Sequence, residues 1–180
     1  MAYLTSAFFA RDTIEVARDL IGTVLVVGNC EGRIVETEAY TTDDASHSVT
    51  RPRQSIVMRQ TFGRVYVYFI YGMYYCLNFT TDREGAGAVL IRAAEPTRGL
   101  ELMRERRGSS DIRKLASGPG RLCQAFGIDL SFNNERIGRR IRVKTRNTTP
   151  EIASSKRIGI SRATHLDWRF YEADSPFVSK

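Results

Sequence analysis

Cysteine and histidine are scarce in this chain, and their scarcity argues against several kinds of site. The three cysteines, Cys30, Cys76 and Cys123, are odd in number and far apart, and the only histidines are His47 and His165. This pattern favours neither a disulfide framework nor a zinc site. We therefore expect buried free thiols and no metal ion.

Long hydrophobic runs are also missing from the sequence. No apolar run is long enough to cross a bilayer, and the first twenty residues lack the basic start and apolar core of a signal peptide. Walker and dinucleotide-binding glycine motifs are absent as well. We expect a protein with no membrane partner and no secretion signal, cytoplasmic if its source is prokaryotic.

Positive charge is present in excess. The chain has 27 Lys and Arg against 20 Asp and Glu, a net charge of +7. Residues 98–169 alone hold 17 basic and 7 acidic residues. A basic half of this kind suits a polyanion, because each neutralised phosphate releases counterions. Charge by itself leaves open a solvated basic surface with no specific partner.

The order of local signals predicts an α+β fold. No repeat or linker divides the chain, so we expect one domain over residues 1–180. Asp12 predicts the cap of a helix, and Thr97 that of another. Strand-forming segments stand before and after the central helices, while residues 41–63 resemble a long polar loop. These features predict a mainly antiparallel sheet.

The segment RIVETEAY, residues 33–40, is the first candidate for chemistry. Side chains alternate along a strand, so Glu36, Glu38 and Tyr40 share one face. Carboxylates on a buried strand are rare unless they are paired or functional. From these residues alone, the favoured interpretation is that both glutamates are paired with arginines at a sheet edge.

Five of the eight tyrosines fall within ten residues, at Tyr66, Tyr68, Tyr71, Tyr74 and Tyr75. Aromatic rings that stack on bases, together with basic groups on phosphates, grip an unstacked nucleotide. Tyrosine also favours strands, so a tyrosine-rich core hairpin remains an alternative.

Farther along, Gly118-Pro119-Gly120 opens a short helix with Arg121 in its first turn, an arrangement that favours an anion.

Taken in order, these segments resemble the alkyladenine (3-methyladenine) DNA glycosylase family. The matching blocks are VARDLIGTVLV, GRIVETEAY, DDASHS, VYVYFIYGMYYCLN, AVLIRAAEP, SGPGRLCQAFGI, RIGIS and SPFVSK, which extend from Val16 to Lys180. The resemblance implies a single α+β domain whose curved, mainly antiparallel sheet carries the active site among surrounding helices. It also implies no cofactor.

The resemblance implies a role for each matching residue. Glu38 corresponds to the general base that activates water, and Arg92 to an active-site arginine. Tyr40, His47 and Tyr68 correspond to the walls of the base pocket, and Asn78 to a residue that clashes with the amino group of guanine. Tyr71 corresponds to the residue inserted into the duplex, and Gly118, Pro119, Gly120 and Arg121 to part of the DNA-backbone contact.

The implied activity is hydrolysis of the N-glycosidic bond that joins a damaged purine to double-stranded DNA. The enzyme is expected to be a monomer and, if prokaryotic, associated with the nucleoid. The segment Val49–Met58 departs from the family pattern, since it is shorter and carries Gln54 where asparagine usually stands. This loop follows a pocket residue and bears on the range of bases accepted. A damage-binding protein without turnover and an RNA-binding domain are the alternative interpretations.

Overall fold

The computed structural model describes residues 1–179, and it contains a curled sheet in which neighbouring strands are antiparallel. The strands, β1 to β8, span Val24–Val27, Cys30–Tyr40, Val65–Ile70, Tyr74–Thr81, Gly87–Arg98, Ile141–Lys144, Ile152–Ser155 and Arg169–Glu172. The helices of this part of the chain, α1 to α7, span Ser6–Phe9, Thr13–Asp19, His47–Thr50, Ile56–Gln60, Leu100–Arg107, Ile112–Leu115 and Pro119–Phe126. The predicted α+β class with an antiparallel sheet is confirmed.

Strand β2 is the centre of the sheet. The order is β3-β4-β5-β2-β1-β6, with β8 beside β2 and β7 beside β8. One edge of β2 pairs with β5 along most of its length. The other edge is shared, because β1 pairs with residues 30–33 and β8 with residues 36–38. The ETEAY segment therefore lies where β5, β2 and β8 meet.

The register between β2 and β5 shifts twice beside this junction. Glu36 pairs with Ala93 and Thr37 with Ile91, so Arg92 has no Cα partner across the ladder. An extra residue of this kind bends a strand and re-aims its side chain, and such bulges are common next to active sites. The irregularity thus sets the direction of the Arg92 side chain.

Of the two helix caps predicted from the sequence, one is present in the structure. The Asp12 side chain accepts hydrogen bonds from the backbone of Ile14 and Glu15 and caps α2, as predicted. The Thr97 cap is wrong, because β5 continues through Arg98 and α5 begins after Gly99. At Gly99 φ is +77°, and a Cβ there would lie 2.7 Å from a backbone oxygen, so glycine is required.

The predicted long loop also differs from the structure. Residues 41–63 contain the short helices α3 and α4, which are too brief to show a clear 3.6-residue period in the sequence. Helices α2 and α7 pack against the sheet, and the core contains Phe9 of α1, Phe79 of β4 and Phe126 of α7. The three cysteines are free and buried, as predicted. No helix within residues 1–179 is long and apolar enough to cross a membrane.

Candidate active site

A cavity of about 860 Å³ opens between the β3–β4 hairpin, the start of α7 and the segment 158–162. All but one of the residues predicted for the site line it: Tyr40, His47, Tyr68, Tyr71, Asn78, Arg92, Gly118, Pro119, Gly120 and Arg121. The exception is Glu38, which is 0% exposed and lies behind the wall. Residues spread over more than eighty positions thus meet at one concave surface.

The carboxylate of Glu38 is held from three directions. The Tyr40 hydroxyl donates to Oε2 at 2.7 Å, and the Ile158 backbone N–H donates to Oε1 at 2.7 Å. The Arg92 Nη1 lies 3.3 Å from the same Oε1. All three partners line the cavity. Since a carboxylate offers roughly four acceptor positions, one position on Oε2 is left beside the Tyr40 hydroxyl.

Arg92 is buried between the two glutamates of β2. Its Nε donates to Glu36 Oε1 at 2.9 Å while its Nη1 faces Glu38. Burial opposes the charge of the guanidinium, but Glu38 and Glu36 outweigh burial and raise the pKa of Arg92 above its ordinary value. The site therefore contains a permanent cation beside Glu38. Both glutamates are thus paired with arginine, but the pairs lie on the central strand and within the candidate site, not at a sheet edge.

Aromatic rings form the floor and walls of the cavity. The ring centroids of His47 and Tyr68 lie 4.4 Å apart, and those of Tyr66 and Tyr68 lie 5.6 Å apart. Burial raises the pKa of Tyr40 and of Tyr68 well above the ordinary value, and it raises that of Tyr66 to about 12. The phenols consequently stay protonated and neutral at physiological pH.

His47 is a neutral ring as well. Burial, aided by the nearby charge of Arg51, lowers the pKa of His47 to about 4. Its Nδ1 lies 3.0 Å from the Tyr66 hydroxyl, which fixes the plane of the imidazole. The rings of His47, Tyr66 and Tyr68 therefore present π-faces that carry no charge of their own.

Asn78 closes the polar side of the cavity. The side chain is 3% exposed, and its Nδ2 donates to the backbone carbonyls of Tyr66 at 3.2 Å and Cys76 at 3.4 Å. These bonds prevent the amide from rotating away from a ligand. Asn78 can therefore exclude a ligand group by its fixed shape.

Tyr71 stands at the tip of the β3–β4 hairpin and is 78% exposed. Its φ is +55° and that of Gly72 is +67°, so the hairpin turns through two left-handed residues. Two such residues match the twist of the flanking strands. The turn holds the Tyr71 ring outward at the rim of the cavity.

Helix α7 begins at the same rim. A Cβ at Gly120 would lie 2.7 Å from the ring of Tyr74, so glycine lets the hairpin pack against the first turn of the helix. Among the described residues that line the cavity, Asp44 is the one carboxylate, against Arg51, Arg92, Arg121 and Arg162. The rim consequently favours an anionic ligand.

Two residues of the site were not singled out from the sequence. Arg157 is buried, bonds Asp43 through Nη2 at 2.7 Å, and lies over the Tyr40 ring at 4.6 Å. Its neighbour Ile158 supplies the backbone N–H that bonds Glu38. The RIGIS block contains both residues, but a backbone donor leaves no residue-type signal.

Within residues 1–179, no group of three His, Cys, Asp or Glu is placed to hold a metal ion.

The chain is similar in sequence to known proteins over most of its length. Residues 7–176 match the family described as methylpurine-DNA glycosylase (MPG). The chain belongs to this family. A Rhizobium etli protein named "Putative 3-methyladenine DNA glycosylase" is 48% identical over 97% of the chain and 87% of its own length. Proteins of the same name from Rhodopseudomonas palustris and Nitrosospira multiformis are 48% and 47% identical, over 98% and 96% of the chain and 88% and 91% of their own lengths.

Membership of the family identifies the activity class. The protein is a methylpurine-DNA glycosylase, a hydrolase of N-glycosyl bonds whose substrate is DNA. The resemblance inferred from the blocks of the sequence is therefore confirmed. Of those blocks, only Lys180 lies outside the described residues.

Proposed function

We propose that this glycosylase is monofunctional and flips alkylated or deaminated purines out of duplex DNA, leaving an abasic site. The principal candidate base is 3-methyladenine, with hypoxanthine and ethenoadenine as further candidates. The observation that carries the proposal is a buried carboxylate, Glu38, directly behind an aromatic cavity of about 860 Å³. In this arrangement, water would attack the deoxyribose from the side opposite to the purine that leaves.

Glu38 is the proposed general base. A water at the free position of Oε2 attacks C1′ of the deoxyribose, the bond from C1′ to the purine nitrogen breaks, and the water's proton passes to Glu38. The negative carboxylate also stabilises the positive sugar of the transition state. No lysine is found among the described residues that line the cavity, which supports water rather than a Schiff base as the nucleophile.

Tyr40, His47 and Tyr68 are the proposed walls of the base pocket. An N-alkylated purine carries a positive charge, and neutral π-faces attract such a ring by roughly 0.5–2 kcal/mol. The neutral state of His47 matters here, since an imidazolium would repel the base. A charged purine leaves as a neutral molecule without an acid, so one carboxylate suffices for it. Asn78 is proposed to exclude guanine by contact with its amino group.

The rim is proposed to hold the DNA around the extruded nucleotide. Tyr71 fills the gap in the duplex, which offsets part of the few kcal/mol that flipping costs. Gly118, Pro119, Gly120 and Arg121 line the same cavity, where the N–H groups of Gly118, Gly120 and Arg121 and the Arg121 guanidinium are proposed to meet phosphates.

Glu38→Gln tests the chemical role. We expect release of bases from methylated duplex DNA to fall by about 100-fold or more, with binding to damaged DNA retained, because the amide keeps the shape but is not a base. Glu84→Gln, a matched change at an exposed acid of the β4–β5 turn, is the control and should retain the wild-type rate. Wild-type release by Glu38→Gln would show that Glu38 is not the base.

A further inference from the structure

The structure contains a second buried carboxylate, Glu36, which is connected to Glu38 through the Arg92 guanidinium. We infer that Glu36 and Ser179 are positioning residues, which fix the Arg92 guanidinium so that Glu38 keeps an oxygen available for water. The inference rests on the proposed roles of Glu38 and Arg92. Glu36 does not line the cavity, whereas Ser179 lines it beside Arg92.

Glu36 is 0% exposed and accepts hydrogen bonds from three elements of the fold. Arg92 Nε of β5 donates to Oε1 at 2.9 Å, and Arg169 Nε of β8 donates to the same oxygen at 2.7 Å. Ser179 donates twice, from its backbone N–H to Oε2 at 2.6 Å and from its hydroxyl to Oε1 at 2.8 Å. A buried carboxylate with this many donors is fixed in position.

The guanidinium of Arg92 is divided among three partners. Its Nε bonds Glu36, its Nη2 donates to the Ser179 hydroxyl at 3.2 Å, and only Nη1 reaches Glu38, at 3.3 Å. Arginine prefers a bidentate, fork-to-fork pair with a carboxylate. Here that pairing with Glu38 is prevented, because two of the three nitrogens are already engaged elsewhere.

Only a hydroxyl at residue 179 satisfies both neighbours. The Ser179 Oγ accepts from Arg92 and donates to Glu36, so the proton order runs from guanidinium to hydroxyl to carboxylate. Alanine would leave the Arg92 Nη2 without this acceptor, so the guanidinium would lose one of the three contacts that hold its orientation. Rotation towards Glu38 would place two N–H groups on its oxygens and occupy the position that water needs.

The test compares Ser179→Ala with Ser179→Thr, which restores the hydroxyl, and with Ser175→Ala. Ser175 belongs to the same terminal segment, and within residues 1–179 its hydroxyl accepts one hydrogen bond, from the Phe177 backbone N–H at 3.4 Å. Each variant is assayed for its single-turnover rate on methylated duplex DNA and for its affinity towards a duplex with an abasic-site analogue. Thermal unfolding is recorded alongside.

We expect Ser179→Ala to lower the single-turnover rate by about 10-fold, since small displacements of a catalytic group cost one to two orders of magnitude. Affinity should stay within about twofold of wild type, because the proposed contacts with the DNA strand are made by Tyr71 and residues 118–121. Ser179→Thr and Ser175→Ala should retain most of the rate. A pure loss of folding would instead lower rate, affinity and unfolding temperature together.

An unchanged rate in Ser179→Ala would overturn the inference, as would an equal loss in Ser179→Thr or a loss confined to affinity. Glu36→Gln is the second variant, expected to lower the rate by about 100-fold with affinity retained. Glu38→Gln distinguishes a failure of the proposed function from a failure of the positioning role. If Glu38→Gln is fully active, the proposed function fails; if it is inactive while Ser179→Ala and Glu36→Gln are fully active, only the positioning role fails.

Discussion

His47 is an ionisable residue that the fold keeps neutral. It packs edge-on against Tyr68 and contacts the Tyr66 hydroxyl, and burial has removed most of the water that would solvate its charge. Neutrality suits a pocket proposed for a cationic purine. The same burial makes His47 a source of acid sensitivity for the whole fold.

The free energy of unfolding should therefore fall on acidification through His47. Its pKa is lowered from 6.5 to about 4, so between these values the unfolded chain binds more protons, and stability is lost as pH falls through that window. Because the ring is partly exposed and screened by solvent, we expect a contribution of about 1–2 kcal/mol. His47→Gln should lose less stability between pH 6.5 and pH 4 than wild type does, as measured by urea unfolding. Identical losses would show that His47 titrates normally.

At the scale of elements, the β3–β4 hairpin carries stored backbone strain. Tyr71 adopts φ +55°, a region that costs a residue with a side chain roughly 1 kcal/mol relative to glycine. The ring is mostly exposed, so burial of the Tyr71 side chain contributes little to stability. A strained, exposed aromatic residue indicates selection for function rather than for folding.

Tyr71→Gly and Tyr71→Ala separate these two effects. Tyr71→Gly should raise the free energy of unfolding by about 1 kcal/mol, because it removes the strain, whereas Tyr71→Ala keeps its Cβ and should not. Both should lower base release, most strongly where the damaged base is well paired, since the wedge is gone. Urea unfolding and release from paired and mismatched lesions are the measurements. Equal losses of activity on both kinds of lesion would count against a wedge.

Helix α7 and the hairpin are coupled through a contact that needs glycine. The Tyr74 ring lies where a side chain at residue 120 would begin. Movement of the hairpin would thus move the rim that also carries Arg121. The two elements proposed to grip DNA are positioned by the same packing contact.

At the scale of the molecule, part of the positive charge is paired with carboxylates inside the fold. Arg92, Arg157 and Arg169 are paired with buried or partly buried carboxylates of the fold. The exposed arginines at the cavity rim are those available to phosphates. These internal ion pairs contribute no net charge, so the net charge of +7 is carried by the remaining residues.

Arg121→Gln should weaken binding to damaged and undamaged duplex DNA by similar factors. Removing one phosphate contact should reduce the slope of log K against log salt by about 1. Arg139→Gln, at an exposed arginine outside the cavity lining, is the matched control and should leave the slope unchanged. Salt titrations of both variants provide the measurement. An unchanged slope for Arg121→Gln would place that residue outside the DNA contact.

Some local elements, though neither the start of α5 nor the short helices α3 and α4, could be predicted from the sequence because they depend on near neighbours. Asp12 caps α2 within three residues, and Gly118 and Gly127 bound α7 within ten. The tyrosine-rich segment contains its own turn at Tyr71 and Gly72. The match of ordered blocks likewise predicted the family, because it compares residue types in order and needs no geometry.

The tertiary structure alone decided how the buried charges are shared. The bulge that turns Arg92 towards β2 depends on the register between two strands, which a one-residue slip would change. The Ile158 N–H reaches Glu38 across 120 positions, and Ser179 reaches Glu36 across 143. Such contacts form only once the sheet order is fixed, because no local period or cap connects residues so far apart.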